Sequence, residues 1–336
     1  MSEIFHIGID LGTSQTSIVT STGKRLTTTT CVGYAKDVIS RKRFGKDYLL
    51  GEEALENRLS LDMIWPLADG VICEEDRALE ATGLILKHII AESLAEKQED
   101  DKLYVAIGVP AQASIKNKKA ILDVTKGFID KIIIVSEPFC VAYSIDRFDE
   151  CLIVDIGGGT TDLCRMHGSI PDDEDQLTLK FAGNFLDNEL TKAILEKFPE
   201  VQLTPKIIRG IKEKYGYVSE ISDLVKVTLT KRGIPAGYNI TDILRECCLK
   251  LANPISEAIQ DLVGSFDPDF QEKLRNNIVI AGGGSRLKGI DIAIEKSLHE
   301  YGGGNAICVQ DAEHCGSVGA LKMCIEMPEE YWEKIQ

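Results

Sequence analysis

Residues 7–19 read IGIDLGTSQTSIV, and residues 152–164 read LIVDIGGGTTDLC. Setting Asp10 on Asp155 puts Leu11 on Ile156, Gly12 on Gly157, Thr16 on Thr161 and Ile18 on Leu163, so one device occurs twice, 145 positions apart. That distance is too long for a solenoid period and predicts two halves that each begin with a similar sheet. Each copy is an apolar strand, an Asp, a turn rich in Gly, Ser or Thr, and a return strand, which is the pattern of a β-hairpin. The glycines permit positive φ and leave backbone N–H groups uncovered. Such a turn can cradle phosphate oxygens, with Ser and Thr hydroxyls as extra donors. A plain Gly-rich hairpin explains one copy well and the matched pair poorly.

The rest of the chain fills in around this repeat. Short apolar runs at 103–109, 132–135 and 277–281 suit buried strands. Between them, 79–95, 113–128, 188–198, 240–262 and 288–301 carry apolar spacings of amphipathic helices. The expectation is an α/β chain of helix-covered sheets, with no low-complexity linker between its halves.

With 336 residues, 44% apolar and 27% charged, the chain is long enough for two domains and too apolar for disorder. Its 38 basic and 53 acidic residues give a net charge of −15 with no dense Lys/Arg block, which disfavours nucleic acid as a partner. The acidic runs at 96–102 and 171–176 read as solvated loops. Ten cysteines without a CxxC are expected to be reduced and buried, and the five histidines lack the spacing of a zinc site. The opening MSEIFHIGID enters a strand pattern with no leader, and no run reaches the 18 or so apolar residues of a spanning helix, so a cytoplasmic protein without direct membrane insertion is expected.

Two common phosphate-binding schemes fail. The Gly-Lys pairs at 23–24 and 45–46 are followed by Arg25 and Asp47 rather than Ser or Thr, which excludes a Walker A loop. The cluster Gly282-Gly283-Gly284-Ser285-Arg286-Leu287 puts Leu where a dinucleotide fingerprint needs its last Gly. Two phosphate hairpins instead suggest a triphosphate gripped from two sides. Asp10 and Asp155, at the ends of the inner strands, would then set two carboxylates beside the phosphates, and anions in that position require a hard cation. Mg·nucleotide is the inference, although each Asp alone is equally explained as a turn-stabilising residue.

Three further segments carry candidate chemistry. In VSEPFCVAY (135–143), Pro138 suits a first helical turn, Ser136 is a plausible cap, and Glu137 stands where a carboxylate can orient a water or merely complement the helix dipole. In IVIAGGGSRLKGI (278–290), Gly282, Gly283 and Gly284 offer bare backbone to a flat group such as adenine. In IIRGIKEKYGYV (207–218), Lys212 and Glu213 are candidates for ribose or base contact, and a solvated helix face explains them as well.

In order, these segments resemble the nucleotide site of the actin, sugar kinase and heat-shock chaperone superfamily. IGIDLGTSQTSI looks like its first phosphate motif, VSEPF its first connecting motif, LIVDIGGGTTDL its second phosphate motif, IVIAGGGSRLKG its adenosine motif, and CGSVGALKM (315–323) its second connecting helix. A chaperone of this superfamily would add a substrate domain, and a sugar kinase would carry a catalytic Asp that no segment here matches. VGYAKDVISRK (32–42), LDMIWPLADGVI (61–72), AGNFLDNEL (182–190) and PEEYW (328–332) are similar to the magnetosome-associated bacterial actins. Cell-shape actins are the nearest alternative, but Phe139, Cys140 and Val141 replace their Ala-rich run.

The resemblance implies an actin-like fold: two RNase H-like α/β domains, each with a mixed sheet flanked by helices, a nucleotide cleft between them and two inserted subdomains. The implied division is 1–33, 67–144 and 314–336 for one large subdomain and 34–66 for its insertion, then 145–180 and 258–313 for the other and 181–257 for its insertion. It implies ATP and Mg²⁺ as cofactors, although backbone contacts allow either purine. It further implies head-to-tail homopolymer filaments beside magnetosomes, possible magnetosome-associated partner proteins, and a slow ATPase whose hydrolysis drives filament turnover. Asp10 and Asp155 would hold the metal, and Glu137, Thr161 and Asp155 would be catalytic. Gly12, Thr13, Ser14, Gln15, Gly157, Gly158, Gly159, Thr160, Lys212, Glu213, Gly282, Gly283, Gly284 and Arg286 would bind nucleotide. A cell-shape or plasmid-segregating actin, a small-molecule kinase using the same cleft, and a non-hydrolysing scaffold are the other readings.

Overall fold

The computed structural model describes residues 3–219 and 224–334. The chain divides into two compact units: one runs up to Arg147 and resumes at Glu313, and the other is Phe148–Ala312.

The first unit is built on a five-stranded sheet in the order Lys131–Ser136, Lys102–Val109, Ile4–Leu11, Gln15–Thr20, Arg25–Thr29. The first three strands are parallel and the last two return antiparallel. Alternation along the strands decides what covers each face. Leu103, Val105 and Ile107 pack with Ile132 and Ile134 under the helices Asp76–Ser93 and Ile115–Thr125. Their neighbours Tyr104, Ala106, Ile133 and Val135 face the other way, against Cys140, Ala320, Cys324 and Trp332 of the helices Glu137–Ser144, Cys315–Glu326 and Glu329–Lys334. Burial on both faces is why these strands read as continuous apolar runs. A three-stranded sheet of Tyr48–Leu50, Val32–Ala35 and Leu61–Ile64 has its own small core of Cys31, Leu49, Ala54 and Leu61.

The second unit repeats the plan. Its main sheet runs Ala306–Cys308, Ile278–Ala281, Cys151–Ile156, Thr161–Met166, Gln176–Leu179, with the same sequence of parallel and antiparallel neighbours. The repeat is exact in register: Asp10 faces Ser17 and Leu11 faces Thr16, while Asp155 faces Asp162 and Ile156 faces Thr161. A second small sheet joins Val201–Gln202, Lys226–Lys231 and Ile234–Asn239.

Three local expectations are corrected. The apolar period over 240–262 is two helices, Thr241–Leu249 and Ala252–Gly264. Pro254 has no N–H to donate to the carbonyl of residue 250 and its ring crowds that carbonyl, so the helix must restart and take Pro254 into a first turn. Ser136 does occupy the N-cap of Glu137–Ser144 but makes no side-chain cap bond, because Pro138 removes one of the two N–H groups such a cap would reach. The run 171–176 is not wholly solvated: Asp175 is buried on Arg165. All ten cysteines are free thiols, and only Cys73 and Cys308 are not fully buried. Among the described residues no helix is long and apolar enough to cross a membrane.

Candidate functional site

In the first unit the hairpin turn lies at the carboxyl end of the central strand. Asp10 is flanked by Gly108 of the parallel neighbour and by Ser17 of the return strand. The turn is tight enough that a β-carbon on Gly12 would fall 2.7 Å from the Gln15 carbonyl oxygen. Its orientation is fixed from behind, since Thr30 donates its hydroxyl to the Gly12 carbonyl at 2.8 Å and its N–H to the Ser14 carbonyl at 3.0 Å. From the side, the Gly70 N–H donates to the Thr13 hydroxyl at 2.6 Å. Asp69 and Gly70 both have positive φ, 49° and 72°, which lets a two-residue turn bring that N–H forward.

Glu137 arrives by a different route. It opens the helix that follows Lys131–Ser136, and Val135 of that strand pairs with the same Gly108 that pairs with Asp10. Gly108 thus links the two: it pairs with Asp10, and a β-carbon on it would reach Glu137 Cγ at 3.5 Å, an ordinary contact distance. Glu137 is 9% exposed. The helix Cys315–Glu326 closes the edge, with Gly316 so near that a β-carbon would lie 2.9 Å from Asp10 Oδ2, and with Ser17 donating to Ser317 at 2.9 Å.

In the second unit Asp155, 8% exposed, pairs with Ala281 on one side and Asp162 on the other. The Gly157 N–H donates to the Thr160 carbonyl at 2.8 Å and closes the turn. Thr161 is fully buried and donates its hydroxyl to the Phe181 carbonyl at 2.6 Å. Gly282, with φ 71°, brings the glycine segment onto Asp155 and Ile156, and a side chain at 282 or 284 would overlap them. Lys212 is drawn to this group indirectly: its Nζ donates to the Gly183 carbonyl at 2.8 Å, and Gly183 itself sits on the Gly157 carbonyl. Glu213 and Arg286 are exposed.

Asp10, Gly12, Thr13, Ser14, Gln15 and Glu137 thus gather at one sheet edge of the first unit. Asp155, Gly157, Gly158, Gly159, Thr160, Thr161, Gly282, Gly283, Gly284 and Lys212 gather at the matching edge of the second. Sequence reasoning overlooked Gly183, Asp187 and the Gly70 contact. The run AGNFLD at 182–187, a glycine followed by an acid on one helix, was the available signal.

The donor chemistry fits a magnesium nucleotide. The backbone at Gly12, and at Gly282 and Gly284 of the glycine segment, is packed so closely that a β-carbon there would overlap neighbouring protein atoms, which keeps bare backbone at both sheet edges. The described residues hold no group of three or more His, Cys, Asp or Glu arranged as a protein metal cage. A hard cation that keeps its waters and leans on one or two carboxylates and phosphate oxygens needs no such cage.

Residues 4–329 match the family model for MreB/Mbl proteins. The chain belongs to the MreB/Mbl family. Within this actin-like family it is 39% identical to the actin-like protein MamK of Paramagnetospirillum magneticum, over 98% of this chain and 94% of that one. It is 40% identical to MamK of Magnetospirillum gryphiswaldense, over 97% and 90%. Identity to the cell-shape-determining protein Mbl of Bacillus subtilis is 26%, over 87% and 88% of the two chains. The expected magnetosome branch is the nearer of the two.

Solved structures agree on the actin-like α/β fold. A MamK double helical filament superposes with a TM-score of 0.93 at 38% identity, covering 97% of this chain and all of that one. A non-polymerising MamK mutant bound to AMPPNP gives 0.74 at the same identity and coverage. MreB 5 of Spiroplasma citri gives 0.82 at 22% identity, a likeness of fold.

Proposed function

We propose that this protein is an ATP-dependent, filament-forming bacterial actin that organises or positions magnetosomes in a chain, with slow ATP hydrolysis driving filament turnover. One observation carries the nucleotide part of the reading: two hairpins in identical register, each presenting an Asp and a glycine turn at a sheet edge. The filament part is supported by 38% identity over 97% of the chain to a protein whose structure is a double helical filament. The cargo is supported by the MamK relatives.

In this reading the turn N–H groups of Gly12–Gln15 and Gly157–Thr160 bind phosphates, the glycines at 282–284 with Arg286 receive the adenosine, and Lys212 and Glu213 lie at the nucleoside. Asp10 and Asp155 would hold Mg²⁺ and its waters, and the cation would there offset phosphate charge. Glu137 and Thr161 are assigned the positioning of the attacking water, Glu137 through its carboxylate. Positioning and electrostatics dominate phosphoryl transfer, so a dilute subunit is expected to hydrolyse slowly. The four-subdomain division set out above, a cytoplasmic location beside magnetosomes, and tethering by magnetosome-associated proteins belong to the same proposal.

The test is sedimentation with Mg·ATP, Mg·ADP or no nucleotide, with phosphate release followed in the same tubes. ATP-dependent pelleting with release that rises above a critical concentration is the expected result. A protein that stays in the supernatant at every concentration while turning over ATP overturns the filament and redirects attention to an acceptor substrate.

A further inference from the structure

The helix Gly183–Lys197 begins without a side-chain cap, because Ala182 occupies the N-cap position. Two of its leading N–H groups go to the phosphate turn instead: Gly183 donates to the Gly157 carbonyl at 3.0 Å and Asn184 to the Gly158 carbonyl at 2.7 Å. Leading helix donors have no partner within the helix, so seating two of them on a Gly-Gly turn joins helix and turn into one piece. The approach favours glycine, since a β-carbon at 183 would lie 3.1 Å from Lys212 Nζ and 3.3 Å from both the Gly157 oxygen and the Gly158 Cα, closer than such atoms usually pack.

Lys212 secures that junction and Asp187 secures Lys212. The lysine Nζ is 2.8 Å from the Gly183 carbonyl and 2.9 Å from Asp187 Oδ1, and Arg209 Nε is 3.7 Å from Asp187 Oδ2. The Lys212 and Asp187 side chains are 13% and 15% exposed, so solvent screens the pair weakly. A lysine ammonium is a mobile point charge on a flexible stem. Without its carboxylate partner the ammonium is no longer held on the Gly183 carbonyl.

We infer that Asp187 is a positioning residue for the nucleotide. By holding Lys212 on the Gly183 carbonyl it keeps Gly183 and Asn184 seated on Gly157 and Gly158, and so fixes the shape of the turn before phosphate arrives. The inference rests on the nucleotide reading above and extends it to a carboxylate that acts through Lys212.

The test uses the full chain, below its polymerising concentration, carrying Asp187→Asn or Asp187→Glu. Titration with a fluorescent ATP analogue, phosphate release against ATP concentration and thermal melting are measured on each. For Asp187→Asn the expected result is binding and KM weakened by about tenfold, with the rate at saturating ATP changed by less than about twofold. Asp187→Glu keeps the charge and should recover most of the affinity. An unchanged KM, with or without a lower melting temperature, overturns the role, as does a lower saturating rate at unchanged KM. If Asp187→Asn does not fold, Asp187→Ser, which also removes the charge, decides in its place: a KM weakened by about tenfold with the saturating rate within about twofold supports the role, and an unchanged KM overturns it. A wild-type chain that binds no ATP analogue removes the nucleotide reading and this inference together, whereas normal wild-type binding with normal variant binding removes only the role of Asp187.

Discussion

Gly282 approaches Asp155 so closely that a β-carbon at 282 would overlap the Asp155 Oδ1 atom. The glycine has φ 71° and ψ 176°, a region open to glycine and strained for other residues. Backbone conformation and close approach therefore demand the same residue for separate reasons. Gly282→Ala should destabilise the second unit by about 1–3 kcal/mol and push the Asp155 carboxylate aside. Thermal melting reports the first effect and phosphate release the second. A lower melt with normal hydrolysis would show that Asp155 tolerates displacement and does not hold the metal.

Glu137 offers a separation between hydrolysis and assembly. Glu137→Gln preserves size and hydrogen-bonding capacity while removing the charge that orients a water. Loss of a positioned base should slow phosphate release about a hundredfold. Pelleting with Mg·ATP should persist, and the filaments should outlast those of the unaltered protein. Phosphate release at the normal rate would assign Glu137 to the helix dipole alone and favour a scaffold that binds ATP without consuming it.

The repeat around Asp10 and Asp155 was legible because a hairpin's register follows from its turn length, and both turns have the same length. The strands at 102–109 and 278–281 were legible as apolar runs, since burial on both faces leaves no alternation to misread. What stayed hidden depends on partners distant in sequence. Asp187 acquires meaning only once Lys212 of another helix lies against it. Gly70 matters through Thr13, 57 residues earlier. The helix break before Pro254 was visible in the sequence, and the strength of the flanking apolar period obscured it.

Helix packing in the first unit rests on small residues. Gly319 of Cys315–Glu326 faces the Cys140 carbonyl so closely that a β-carbon would overlap it, and the Gly8 position meets the Ser317 carbonyl in the same way. Gly319→Ala should cost about 1–3 kcal/mol by forcing the helices apart. Gly210 is the contrast. It lies exposed within the helix Pro205–Tyr215, and a β-carbon added there would meet nothing within 4 Å. Gly210→Ala should therefore stabilise by about 0.5–1 kcal/mol through helix propensity. Urea denaturation of the two variants should move in opposite directions; equal shifts would refute the packing account.

Asp175 couples the second unit to pH. Burial opposes its ionisation, but hydrogen bonds from His167, the Asp172 backbone and Arg165 outweigh that cost and hold its pKa below the ordinary value. Arg165 meets it with Nε at 2.8 Å and Nη2 at 2.7 Å, donates through Nη1 to the Leu262 carbonyl at 2.8 Å, and lies over the Phe266 ring. A carboxylate with a depressed folded pKa contributes stability that is complete above its unfolded pKa of about 3.9 and is lost as pH falls through the folded pKa. Asp175→Asn leaves the buried Arg165 without its counter-charge and should destabilise the protein by about 3–5 kcal/mol at pH 7. The gap between variant and unaltered protein should narrow as pH drops below about 4, where both side chains approach the same neutral form. Urea denaturation across that range measures it. A gap that stays constant with pH would mean that shape alone, and not the charge on Asp175, holds Arg165 in place.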